Sequence, residues 1–326
     1  MELRRVQRTH SGTFFVSLPK DWAEQAGLSK GTVLAISQSV DGRLCLDPEY
    51  NVKREPLGVV LKPSSYLDRE IMGRYLLGFD IIRVVAKDRI SPEERSLIKK
   101  ASGRLVGLEI VEEDYASIVL QCLLEPAAFP PEKILRREYN IAASMHRDAV
   151  TAFIDGDVHI AKNVIARDDE VNRLYFLLVR ILRTIIQNPR LGEELRIRSI
   201  DCLDYRMCAS LVETIGDRAV EIALKALALK STRISRETSQ LVAKFHSSTY
   251  DAQEDSLRSF FGRSVVLAEK VRGERAEMDR MLHDIELAAK NEPAEIVPYI
   301  ITTASSIHRI FGHSVDIADL VMPIEL

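Results

Sequence analysis

The sequence contains no Cys-x-x-Cys pair, and its four cysteines, Cys45, Cys122, Cys202 and Cys208, lie far apart or six residues from one another. That spacing argues against a zinc ribbon, a thioredoxin-type motif and a disulfide framework. The start, Met1-Glu2-Leu3-Arg4-Arg5, lacks the apolar core of a signal peptide. No stretch approaches the ~18 uninterrupted apolar residues of a membrane-spanning helix, so membrane insertion is not expected. Neither sign of charge dominates: 45 basic residues against 48 acidic ones leave a net charge of −3. This excludes a histone-like binder and confines any nucleic-acid contact to a local patch. At about 100–200 residues per domain, 326 residues predict two or three domains of a cytosolic protein.

Proline and glycine are scarce in the second half. Eight of the twelve prolines lie at or before Pro131, and nine of the fifteen glycines at or before Gly107. Helix interiors exclude proline, which lacks the amide donor and clashes with the preceding turn. Long helices are therefore expected after Pro131, with short strands and turns before it.

Residues 1–49 read as strand, strand, short helix, strand, strand. Thr13-Phe14-Phe15-Val16-Ser17-Leu18 is rich in β-formers and ends at Pro19, where a short helix anchored by Trp22 can begin. Gly27 suits that helix's end, Thr32 to Ile36 forms a strand, and Asp41-Gly42 signals a hairpin before Arg43-Leu44-Cys45-Leu46. So short a segment makes a poor solitary core, which predicts pairing with a second copy. Residues 50–129 follow a βαβαββ order, with Ser91-Pro92-Glu93-Glu94 opening the second helix in N-cap fashion. A small α/β sandwich of ferredoxin-like type fits this order. The segment holds no Gly-x-Gly-x-x-Gly or phosphate loop.

From 130 onward six helical stretches are expected, at about 131–154, 157–187, 191–229, 234–261, 263–290 and 292–322. The last three resemble the first three: Ala209-Ser210-Leu211-Val212-Glu213-Thr214-Ile215 recurs as Ala304-Ser305-Ser306-Ile307-His308-Arg309-Ile310. Two tandem three-helix bundles, 130–231 and 232–326, are the economical architecture. The fold class is thus multidomain: a small all-β domain, a small α/β domain and an all-α pair of bundles.

Polar groups interrupt the apolar stripes of the first bundle. Helical spacing places Asp168 and Asn172 among Ala161, Val164, Tyr175, Val179, Leu182 and Ile186. Glu213 and Asp217 share a face with Ala209, Val220, Leu224 and Leu227, while Val212, Ile215, Ala219, Ile222 and Ala226 can fill the core. None of the three carboxylates has a Lys or Arg one turn away, whereas Asp169 has Arg173 and Glu221 has Lys225. Carboxylates ionised on a half-buried face need a compensating cation. Oxygen ligands on neighbouring helices suit iron, manganese or magnesium; arginines reaching across the bundle are the alternative.

Val212-Glu213-Thr214-Ile215-Gly216-Asp217-Arg218-Ala219-Val220-Glu221-Ile222-Ala223 resembles the signature helix of the PhoU phosphate-uptake regulators, and Asp168-Asp169-Glu170-Val171-Asn172-Arg173-Leu174 resembles its companion motif. The resemblance covers about 131–322. It implies two three-helix repeats and metal ligands at Asp168, Glu213 and Asp217, with Asn172 a neutral ligand where an Asp belongs. In the second repeat Arg275, Asp279, His308 and Gly312 stand at those positions, so one metal site per chain is expected. Gly12-Thr13-Phe14-Phe15-Val16-Ser17-Leu18-Pro19-Lys20 and Ala26-Gly27-Leu28-Ser29-Lys30-Gly31-Thr32-Val33 resemble the AbrB/MazE/SpoVT swapped-hairpin domain. That resemblance implies a homodimer through the N-terminal domain, with Arg4, Arg5, Arg8 and Lys20 presented to operator DNA. Residues 1–20 carry a net charge of +3, which dimerisation doubles.

His10, His146, His159, His246 and His283 show no ligand spacing, and Cys202 and Cys208 read as core thiols. No nucleophile–base arrangement can be named, so an enzyme is not expected. The sequence predicts a regulator of phosphate uptake acting on operator DNA. The alternative is a protein-interaction regulator of a phosphate ABC transporter or its signalling kinase.

Overall fold

A computed structural model of the chain describes residues 2–38, 42–48, 55–229 and 232–321. The chain divides into two compact units, Met1–Glu55 and Pro56–Leu326.

In the first unit β1 (Gln7–Arg8) pairs antiparallel with β2 (Phe14–Phe15) across a turn at Gly12, whose φ of 93° no β-branched residue would hold. The short helix α1 (Lys20–Gln25) follows, with Trp22 half-buried, and β3 (Ala35–Gln38) pairs antiparallel with β4 (Leu44–Asp47). Asp41 of the expected hairpin lies outside the described residues, and Gly42 beside it has a φ of 82°. No described residue of this unit is buried. Phe14, Ile36 and Leu44 each leave about two thirds of their surface to solvent. One copy has β-forming side chains and nothing to pack them against.

The second unit opens with an α/β layer: β5 (Gly58–Leu61), α2 (Leu67–Leu76), β6 (Ile81–Val85), α3 (Pro92–Gly103), β7 (Leu108–Glu113) and β8 (Ser117–Cys122). The βαβαββ order is as expected. The ferredoxin-like arrangement is not formed: the sheet runs β5-β6-β8-β7, with β5 and β6 parallel and β8 antiparallel to both its neighbours. The cause is local. Asp114 accepts the amides of Ala116 and Ser117, folding β7 onto β8 as a hairpin after both helices. A ferredoxin-like order needs its hairpin between them. Ser91 caps α3 as predicted, accepting from Glu94 N while Ser91 N donates to Glu94. Ile82, Val84, Ile118 and Leu120 pack against Leu67, Ile71, Tyr75 and Ile98.

Eight helices replace the six predicted stretches: α4 (Pro131–Asp155), α5 (Val158–Gln187), α6 (Pro189–Leu195), α7 (Asp201–Leu229), α8 (Arg236–Gly262), α9 (Val265–Gly273), α10 (Arg275–Ala289) and α11 (Val297–Asp319). The third stretch is cut by a left-handed turn at Arg196, and the fifth just after Gly273, at Glu274, which keeps right-handed backbone. The tandem three-helix plan survives both cuts. Val212, Ile215, Ala219, Ile222 and Ala226 are fully or nearly fully buried, in one core that runs through both repeats.

The α/β layer is locked to the first repeat by Arg180 of α5, which is 3% exposed. Its guanidinium donates to the carbonyls of Tyr75 and Phe79 at 2.7 and 2.8 Å and to Asp80 at 3.0 Å. A buried charge is tolerated only when paired and hydrogen-bonded this fully. Among the described residues no helix is long and apolar enough to cross a membrane.

Candidate functional site

The four predicted site residues of the first repeat stand on two adjoining helices, Asp168 and Asn172 on α5, Glu213 and Asp217 on α7. Asn172 donates its amide to the Asp168 carboxylate at 3.0 Å and to its carbonyl at 3.1 Å. Burial raises the Asp168 carboxyl above the usual range, and the charges of Asp217 and Asp169 add to it. Glu213 is pushed up to about 7 by burial, then by Asp217 and Asp168. Asp217 keeps much of its surface in solvent, yet its packed surroundings raise it too, against the pull of Arg218. The three carboxylates therefore lie within one another's field. No ion pair reaches any of them among the described residues; Arg104 and Arg206 act on them only at longer range.

The donor types suit an oxygen-preferring cation. Their positions do not close around one: among the described residues no three His, Cys, Asp or Glu side chains are grouped tightly enough to hold a metal ion. The helix pairs read as simple i, i+4 partners also differ. Asp169 faces Arg104 of the α/β layer at 3.9 Å rather than Arg173, and Glu221 pairs with Arg218 at 2.8 Å rather than Lys225. Asp169 thus finds its cation in another layer, whereas Glu221 takes the one three residues back on its own helix rather than the one four residues on.

Two features escaped the sequence reading. Glu138 of α4 is wholly buried, and neither of its carboxylate oxygens has a hydrogen-bond partner. Burial raises it well above the carboxylate range, with the Glu213 charge next in size. The signal was present, since Glu138 sits among Leu135, Tyr139, Ala142 and Met145 on an apolar face. His146 and His246, a hundred residues apart, meet in the core, Nε2 of the first 3.2 Å from Nδ1 of the second. Nδ1 of His146 lies 3.0 Å from Oε1 of Gln253. Burial holds both imidazoles neutral, down to about 3 and about 4.

In the second repeat Asp279 of α10 and His308 of α11 meet at 2.7 Å. The positions equivalent to Asn172 and Glu213 thus satisfy each other.

In the N-terminal unit Arg4, Arg5, Arg8 and Lys20 are all exposed. Arg4 pairs with Glu2 at 2.8 Å, and Lys20 lies 3.6 Å from Glu24. The Arg8 guanidinium rests 5.3 Å from the centre of the Phe14 ring, its partner across the β1–β2 ladder. Arg5 has no ion pair among the described residues.

The PhoU domain model matches residues 135–226 and 242–321. A second model, for antidote–toxin recognition by the bacterial antitoxin MazE, matches residues 7–56. Among solved structures the chain is similar to PhoU from Pseudomonas aeruginosa, with 24% identity and a TM-score of 0.52 over 59% of this chain and 93% of that one. It also resembles the phosphate transport system regulatory protein PhoU from Streptococcus pneumoniae, at 16% identity and a TM-score of 0.49 over 59% and 91%. No curated protein matches.

Proposed function

The chain belongs to the PhoU family, whose domain model covers both repeats and more than half of its length, and from this we propose that it is a non-catalytic regulator of phosphate uptake that binds operator DNA. The observation that carries the DNA-binding half is the coreless N-terminal unit, in which no described residue is buried. Its MazE-like sequence and its exposed Phe14, Ile36 and Leu44 support a homodimer in which a second copy supplies the missing core. Dimerisation doubles Arg4, Arg5, Arg8 and Lys20, giving a small basic surface for phosphates. The helical repeats then carry the regulatory input.

Asp168, Glu213 and Asp217, which as placed do not close around an ion, would have to draw together to hold one cation per chain, iron, manganese or magnesium, with Asn172 orienting the Asp168 carboxylate. Bound there, the ion would supply the positive charge that no ion pair among the described residues brings to these carboxylates. Asn172 keeps Asp168 ionisable by donating to it, and Glu213 must give up its proton before it can ligate.

A second reading, in which the chain contacts a phosphate ABC transporter or its signalling kinase without touching DNA, is favoured by one observation. Arg4 and Lys20 already have acidic neighbours in their own unit. A salt-titrated binding assay on the protein's own upstream DNA separates the two. Arg5→Ala with Arg8→Ala should weaken binding broadly and lower the log–log salt slope by about 0.9 per phosphate contact removed. An unchanged slope would give the second reading the ground.

A further inference from the structure

Helical spacing turns Asp169, Glu170 and Arg173 to the side of α5 away from Asp168 and Asn172. There a cavity of about 590 Å³ opens between the α/β layer and the first repeat. Val106 of the α/β layer, Phe129 of the connection, Ile134 of α4, and Leu174 and Leu177 of α5 make it apolar. Five charged side chains ring it: Lys133, Arg137 and Arg173 against Asp169 and Glu170.

The walls are held from behind. The Tyr75 hydroxyl donates to the Val106 carbonyl at 2.9 Å, and the Tyr75 carbonyl accepts from the buried Arg180 of α5. The helix that forms the floor thus also anchors the opposite wall, so the cavity exists before anything enters it. Its charges are unequally engaged. Arg137 pairs with Glu170 at 2.9 Å, and Asp169 lies 3.9 Å from Arg104. The side chains of Lys133 and Arg173 have no hydrogen-bond or ion-pair partner among the described residues.

We propose that this cavity is an effector site for a nucleoside phosphate. Its size falls within the roughly 300–1,000 Å³ of small-molecule pockets, and such pockets combine apolar walls with a few placed polar groups. The base lies on the half-buried Val106 and Phe129, the sugar hydroxyls donate to Asp169 and Glu170, and the phosphates meet Lys133 and Arg173. Inorganic phosphate alone would leave the apolar floor uncovered. A lipid tail would have to pass five charged groups. A ligand with a flat apolar face, hydroxyls and a phosphate uses every part. The inference is independent of the phosphate-uptake reading and does not involve the carboxylate set on the other side of α5.

Titration calorimetry on the full chain, with chelator present, tests it using ATP, ADP, AMP, adenosine and inorganic phosphate. At least one nucleotide should bind about tenfold or more tightly than inorganic phosphate and than adenosine. Lys133→Ala with Arg173→Ala, both at exposed positions, should weaken nucleotide binding by about tenfold or more. Ala166→Phe should block the cavity without changing its charge, and Arg280→Ala in the second repeat should change nothing. If Ala166→Phe fails to fold, the charge variant decides alone. No nucleotide binding at millimolar concentration overturns the proposal. So does inorganic phosphate binding as tightly as nucleotides, or nucleotide affinity that survives the Lys133/Arg173 pair.

Discussion

The two repeats have the same three-helix plan and treat the same positions in opposite ways. In the second, His308 and Asp279 form a closed pair at 2.7 Å. In the first, Asp168, Glu213 and Asp217 face one another without an ion pair, and Glu138 lies buried behind Glu213 with both oxygens unsatisfied. Apolar packing alone does not ask for this; a bundle core is more stable when its polar groups are satisfied or absent. The second repeat thus closes these positions with a pair, while the first leaves carboxyls whose pKa values burial and mutual charge raise.

The sharpest break of this contrast is metal content. Glu213→Gln with Asp217→Asn keeps shape and removes two charges, so the variant should lose bound metal and remain folded. Asp279→Asn with His308→Ala should leave metal content as it was. Elemental analysis of protein purified without added metal reads both. Metal-free wild-type protein would make the acidic group structural.

Next in size is Glu138. Replacing a buried carboxyl that has no partner with Leu should stabilise the metal-free chain by about 1–3 kcal/mol, measured by urea unfolding. A loss of stability would mean that Glu138 is held by a group bound in the folded protein.

A pH series sharpens the same point. Glu213, at about 7, keeps in the folded chain a proton that the unfolded chain releases near 4.5. Below that lower value both states are protonated and nothing changes. Between the two values stability falls as pH rises, and above the upper one the loss is complete. After allowance for partial solvent screening the loss should be about 1–2 kcal/mol in metal-free protein. Glu213→Gln should flatten the slope, and a wild-type stability that rises across that window would contradict the raised carboxyl.

The smallest effect belongs to the second repeat. His308 is a third exposed and its Asp279 partner more so, so His308→Ala should cost less than about 1 kcal/mol in thermal unfolding. A larger loss would mean the closed pair carries the repeat rather than merely quieting it.

The repeat architecture was legible because helix breaks are written locally, in Asn188-Pro189 and Asn291-Glu292-Pro293. The extra cuts at Arg196 and just after Gly273 were not, since one is a left-handed non-glycine and the other follows a glycine between two good helical stretches. Asp168, Glu213 and Asp217 could be picked out because each breaks an apolar period without a cation one turn away. Glu138 breaks one too, and was missed for want of a motif around it. The His146–His246 contact could not be read at all, because it exists only once α4 and α8 dock. The same holds for Arg104, which reaches Asp169 from another layer.

Arg180 bears on how the molecule can be taken apart. Its three acceptors all come from the α/β layer, within residues 75–80, while the guanidinium itself is rooted in the last third of a bundle helix. A fragment begun at residue 130 would expose an orphaned guanidinium, together with the Tyr75-sized gap beside it, on what had been an interior seam. The piece that can be excised whole runs from residue 56 onward. Any exchange of modules between relatives would have to carry Asp80 and Arg180 together, so the α/β layer and the first repeat are inherited as a single part.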